Sequence, residues 1–121
     1  MLRVFAVLLV SLTTSLPAFA AEFVRVSDEP TFLRLMDGRE LRIGVVGLAL
    51  SVKPDGTIAG SAAGFDVTGN WTWQDGYFCR EMDWGGTEIP YNCQLVEARG
   101  TDVMRFTVDQ GAGDAAEFNL R

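Results

Sequence analysis

Between Gly69 and Cys93 the chain concentrates most of the side chains that could recognise or react with a ligand. All three tryptophans (Trp71, Trp73, Trp84), both tyrosines (Tyr77, Tyr91), Phe78 and both cysteines (Cys79, Cys93) fall in this stretch. Residues two apart on a strand share a face, so Trp71 and Trp73 point the same way. On the next strand Phe78, Arg80, Met82 and Trp84 share one face, and Tyr77, Cys79, Glu81 and Asp83 share the other. Such rings can line a pocket for a small apolar, glycan or peptide ligand. They can equally form the core of a small β domain. The candidate ligand-binding set is Trp71, Trp73, Tyr77, Arg80 and Trp84. Arg80 sits among apolar neighbours, so it needs a partner, with Asp66, Asp75 and Glu88 as candidates, or it snorkels to the rim.

Other chemistries find less in the sequence. Glu81, Asp83 and Glu88 crowd the Gly85 turn and could act as a glycosidase pair or hold a hard metal. Acids at a turn more commonly stay solvated and keep strand edges apart. The chain has no histidine, and its serines after residue 20 are Ser27, Ser51 and Ser61, none within G-x-S-x-G. Lys53, the only lysine, could form a serine–lysine dyad on paper only. Asp109 to Asp114 lacks the oxygen density of a calcium loop. Gly111 to Ala116 matches G-x-G-x-x-A, but too few residues follow for the helix and strand that a dinucleotide site requires. Asn70-Trp71-Thr72 fits a glycosylation sequon, which matters only in a eukaryotic secretory host. Neither a catalytic residue, nor a metal site, nor a cofactor is assigned.

The N-terminal residues set the expected compartment. Arg3 precedes an apolar run from Val4 to Val10, Pro17 follows, and Ala18-Phe19-Ala20 places small residues where signal peptidase requires them. This predicts a signal peptide over residues 1–20, cleaved between Ala20 and Ala21, and a single secreted β domain over 21–121. The apolar run is short of the roughly 20 residues that a membrane span requires. Arg3 is the sole charge in the leader, so the remainder carries nine basic residues against sixteen acids, a net charge of −7. That balance argues against nucleic acid as a partner. A periplasmic or secreted address, with no membrane span in the mature form, is expected. In an oxidising compartment Cys79 and Cys93 read as a disulfide. Closing that loop contributes roughly 3 kcal/mol in the chain-entropy model.

The elements that must position these residues are mostly strands. Asp28 can cap a short helix, Pro30 suits its first turn, and Gly38 ends it, with Phe32, Leu33, Leu35 and Met36 as its apolar face. Beyond Gly38, alternating apolar positions are punctuated by Pro54-Asp55-Gly56, Gln74-Asp75-Gly76, Gly85-Gly86-Thr87 and Arg99-Gly100-Thr101-Asp102. Strands are expected near Thr57–Ala62, Phe65–Trp73, Tyr77–Trp84, Pro90–Ala98, Val103–Val108 and Ala116–Leu120. The fold class is mainly β: an antiparallel meander of seven or eight strands, curled into a half-barrel or small barrel, with the helix plugging one open end. A turn centred on Gly86 sets Cys79 opposite Cys93, in agreement with the disulfide.

The block Asp75-Gly76-Tyr77-Phe78-Cys79-Arg80, with Trp71 and Trp73 before it and Tyr91-Asn92-Cys93-Gln94 after, resembles a group of short secreted bacterial proteins labelled dihydrodipicolinate reductase. The segments Arg105-Phe106-Thr107, Asp109-Gln110-Gly111 and Glu117 to Arg121 are similar as well, so the resemblance covers nearly all of the chain beyond the leader. It implies a reductase. Enzymes of that name bind NAD(P)H on an N-terminal Rossmann domain and use histidine and lysine near the substrate. This chain has a leader at that position and no histidine, so no catalytic residue carries over. The first expectation for function is a small binding or interaction protein with an unknown small ligand or periplasmic protein as partner, an inhibitor role included. The alternative is an enzyme, either a reductase or a hydrolase built on Glu81, Asp83 or Glu88.

Overall fold

The computed structural model describes residues 11–14 and 22–121. The leader expected over 1–20 and its cleavage point between Ala20 and Ala21 lie outside the described residues, apart from 11–14, which form neither helix nor strand. The elements in chain order are β1 (Val24–Arg25), α1 (Glu29–Met36), β2 (Leu41–Ile43), β3 (Leu48–Val52), β4 (Thr57–Ala62), β5 (Phe65–Gln74), β6 (Tyr77–Trp84), β7 (Thr87–Arg99), β8 (Val103–Thr107) and β9 (Ala115–Leu120).

From β2 to β9 each strand pairs antiparallel with the next, and β9 returns to β2 through Leu41 opposite Leu120 and Arg42 opposite Asn119. The eight strands therefore close into a barrel, which removes the sheet edges that an open meander would expose. The hairpin turns Asp75-Gly76 and Gly85-Gly86 have positive φ at both central residues. That geometry matches the twist of the flanking strands. Closure also needs sharp bends. A Cβ on Gly60 would collide with the Ala49 carbonyl oxygen, and one on Gly69 with that of Glu81. Only glycine lets neighbouring strands come this close.

Short β1 pairs with the far end of β7, Val24 opposite Ala98 and Arg25 opposite Glu97, where β6 no longer reaches. The chain then turns into α1. Asp28 is extended and its carboxylate accepts from the Thr31 backbone N–H at 2.9 Å and the Thr31 hydroxyl at 3.0 Å. Gly38, at φ +72°, lets the chain leave the helix. Arg39 then donates to the carbonyl of Thr101 at 2.7 Å and to that of Leu35, tying the helix end to the β7–β8 turn. Phe32 and Met36 are buried, and Leu33 and Leu35 pack against the core. Phe32 is fully buried, with ring centroids 5.3 Å from Trp73 and Phe78, 5.5 Å from Trp71 and 6.4 Å from Phe106. The helix plugs the barrel, as expected, at the end where β2 begins and β9 ends.

Truncating the plug should leave a cavity that the rigid barrel cannot collapse. Phe32→Ala is expected to lose about 3–5 kcal/mol of stability, measured as a lower urea midpoint. The cap gives a pH-dependent expectation. The Asp28 carboxyl is held below its usual range, first by the Thr31 backbone N–H and then by the Thr31 hydroxyl. A lowered carboxylate pKa contributes stability that is present above the unfolded value, near 3.9, and lost as pH falls through the folded one. The stability gap between wild type and Asp28→Ala should therefore be full at pH 7 and close as pH falls below about 4 in urea unfolding.

Candidate functional site

Alternation along the strands decides which side chains enter the barrel. On β5, Val67 and Trp71 are buried on the inner face, and on β6 the inner residues are Phe78, Arg80, Met82 and Trp84. The face that the sequence assigned to Phe78, Arg80, Met82 and Trp84 is thus the barrel interior. Near the helix this interior is solid: Trp71, Trp73, Phe78, Met104 and Phe106 pack around or beside Phe32. Towards the other end the inner positions become small, with Gly60, Ala62, Gly69 and Ala116 among them.

The open half of the barrel holds a cavity of about 300 Å³. Its wall is mostly apolar, with Leu50, Val52, Ile58, Met82, Phe106 and Phe118 prominent. Its polar lining residues are Arg80, Gln94 and Asp114. The open end is framed by the 3-10 turn Gly44–Val46, the Ala63-Gly64 and Gly85-Gly86 turns and the β8–β9 loop. Exposed apolar side chains crown it: Val45, Val46, Phe65 and Trp84. Phe65 and Trp84 meet edge to face at 6.2 Å, and the Trp84 indole N–H donates to the Ala62 carbonyl at 2.8 Å.

Arg80 is the unusual member. Its residue surface is 8% exposed. Its guanidinium donates to the Pro90 carbonyl at 2.7 Å, and among the described residues no carboxylate pairs with it. The expected partners Asp66, Asp75 and Glu88 are not used, because they project from the barrel or its turns while Arg80 points inwards. Burial lowers the Arg80 pKa. A guanidinium nevertheless stays protonated in proteins, so a cation faces the cavity. Gln94, opposite Phe78 on β7, is the diagonal inward neighbour of Arg80 and is 9% exposed.

A bulge in β7 builds this corner. The ladder runs Trp84–Thr87, Asp83–Glu88 and Met82–Ile89, then resumes at Arg80–Asn92 and Cys79–Cys93. One extra residue therefore sits in the Pro90-Tyr91 stretch, where proline has no N–H to give the ladder. The turn is the two-residue Gly85-Gly86, and the bulge restores the register that the sequence assigned to a turn centred on Gly86. Cys79 and Cys93 meet as a disulfide on the outer face, with the Tyr91 hydroxyl 3.4 Å from Cys93 Sγ. Asn92 holds the β8–β9 loop by two bonds: its amide donates to the Asp109 carboxylate at 2.8 Å, and the Asp109 N–H donates to its carbonyl at 2.9 Å. The segment matching the dinucleotide fingerprint is thus a tight turn leading into β9.

The five residues proposed as one ligand surface are separated by the fold. Trp71 is buried and its indole N–H donates to the Lys53 carbonyl at 2.8 Å, so it is core. Trp73 is partly buried against Phe32. Tyr77 lies outside, with the Arg25 guanidinium over its ring at 4.9 Å. Arg80 lines the cavity, and Trp84 stands at its mouth. Gln94 was missed, although the Cys79–Cys93 register already places it opposite Phe78. Glu81, Asp83 and Glu88 project from the outer face, and the Asp83 carboxylate accepts from the Gly86 N–H at 2.9 Å. Among the described residues, no three acids or cysteines converge as a metal site, and no helix is long and apolar enough to cross a membrane.

No family model, curated protein or solved structure matches the chain. The site is therefore judged on its geometry. A buried cation with a single protein hydrogen bond costs stability, and replacing buried ionic groups with apolar ones of similar volume often gains it. Arg80→Met is expected to hold or raise the urea midpoint. A structural ion pair would give the opposite sign.

Proposed function

We propose that this is a small periplasmic or secreted binding protein that holds a largely apolar molecule in the open half of its barrel. The observation that carries the reading is the cavity: about 300 Å³, walled by Leu50, Val52, Ile58, Met82 and Phe118, floored towards the helix by Phe78 and Phe106, which pack on Phe32, and open at the other end. Ligand sites are concave, mostly apolar and furnished with a few placed polar groups, and this volume falls at the small end of their range, about 300–1,000 Å³. Leaving such a space unfilled forfeits contacts for every side chain that lines it. The rim of Val45, Val46, Phe65 and Trp84 gives an apolar molecule a favourable first contact. The address rests on the leader read over residues 1–20 and on the Cys79–Cys93 bond, which persists in oxidising compartments.

Other readings have less behind them. An inhibitor would present an extended loop, whereas the hairpins β4–β5, β5–β6 and β6–β7 turn on two residues each. A hydrolase on Glu81, Asp83 and Glu88 would use the open hollow that these residues line with Lys53 and Thr68 on the outer face, not the barrel interior. The reductase implied by the resemblance would need a nicotinamide site, and the described strands form no parallel βαβ unit of the kind that cradles one.

The test fills the cavity. Ala116 lies on its wall, and Ala116→Phe should occupy it without touching the packed end. Wild type should show saturable one-to-one binding of an eight-carbon ligand, 1-octanol or octanoate, by calorimetry and by a rise in melting temperature. Ala116→Phe should abolish both responses while keeping the wild-type circular dichroism spectrum. Failure of both ligands to bind, or undiminished binding by the filled variant, would refute the reading.

A further inference from the structure

Resting on that reading, we propose that the cavity selects an amphipathic monoanion: a carboxylate held by Arg80 and Gln94, carrying an unbranched apolar tail of about seven carbons. The cavity has room for about ten water-sized groups at roughly 30 Å³ each. That number suits an eight-carbon chain with a carboxylate.

The headgroup follows from the charges. Arg80 is a cation in an apolar wall, fixed by one hydrogen bond to the Pro90 carbonyl, with the rest of its donor fork available to the cavity. A planar fork suits a carboxylate, which it can meet through two parallel hydrogen bonds. Gln94, on the neighbouring strand, supplies an amide donor on the same side. Asp114, the other charged lining residue, belongs to the exposed loop at the mouth, where water screens it. The inner cavity thus offers one positive charge. It balances a monoanion, and leaves a phosphate dianion half-neutralised in an apolar space.

The geometry also explains why the guanidinium is held there at a cost. The bulge at Pro90-Tyr91 turns a backbone carbonyl towards Arg80, and this single acceptor orients the fork without neutralising it. A carboxylate partner from the chain itself would have filled the site.

Calorimetric titration of the full secreted domain with octanoate, 1-octanol, butanoate and octyl phosphate tests this. Octanoate is expected to bind at least tenfold more tightly than 1-octanol, because a charge-assisted hydrogen bond separates them. Butanoate, which leaves most of the apolar wall uncovered, should bind at least tenfold more weakly than octanoate. Octyl phosphate should also fall below octanoate. In Arg80→Gln the preference for octanoate over 1-octanol should vanish, while 1-octanol affinity stays within about threefold of wild type. Arg80→Lys, which keeps the charge and loses the fork, should recover part of the preference. A merely structural role for Arg80 would weaken both ligands alike and would overturn the proposal. So would equal binding of octanoate and 1-octanol by wild type, which leaves the apolar cavity reading standing. Failure of all four ligands to bind would overturn both.

Discussion

The rest of the molecule follows from one constraint: eight strands close on themselves through Leu41 and Leu120, and the closed sheet must then fill its own interior. Closure protects every backbone edge between β2 and β9, which matters for a chain of 121 residues with a small core. It also fixes the inner volume. An eight-stranded barrel is just wide enough for side chains to fill or for one small ligand to occupy. Both outcomes occur here, one at each end. Four aromatic rings and Phe32 fill the helix end, while the other holds a cavity with Ala116 on its wall.

The glycines link closure to the cavity. Gly60 and Gly69 lie where neighbouring backbones come too close for a Cβ, so they serve the curl of the sheet first. Being on the inner face, they also put no side chain into the barrel. The helix end needs the opposite solution, and a single phenylalanine supplied from outside the sheet provides it.

Much of this fold could be read from the sequence, for local reasons. Asp28, Pro30 and Gly38 act on a helix within a few residues of themselves, and the paired positive-φ positions at Asp75-Gly76 and Gly85-Gly86 fix hairpins without help from distant parts. The cysteine pair then set a register. Strand ends shifted where no local signal marked them: β7 begins at Thr87, three residues before Pro90, because the tight turn lets pairing start at once. The site was harder to read. Trp71, Trp73 and Trp84 look alike in sequence, and only their height along the barrel axis separates core from mouth. That height depends on closure, which no single strand encodes. Tyr77 differs from Phe78 by one step of alternation, enough to put it outside. Alternation alone puts Arg80 among apolar neighbours, but its acceptor is no carboxylate: it is a backbone carbonyl that only a bulge makes available.

That bulge joins the disulfide to the cavity. Had the strands paired regularly from the Gly85-Gly86 turn, with no residue bulged out in the Pro90-Tyr91 stretch, Cys79 would face Asn92 and Cys93 would be out of register by one. A one-residue slip moves every side chain beyond it to the opposite face. Gln94 and Val96 would then turn outwards, and Cys93 and Leu95 inwards. The Cys79–Cys93 bond therefore does more than close a loop. It locks the register that keeps Gln94 in the cavity wall beside Arg80, and Pro90 at the point where its carbonyl meets the guanidinium. The bond lies on the outer face and touches no ligand space, yet the polar corner of the cavity depends on the register it fixes.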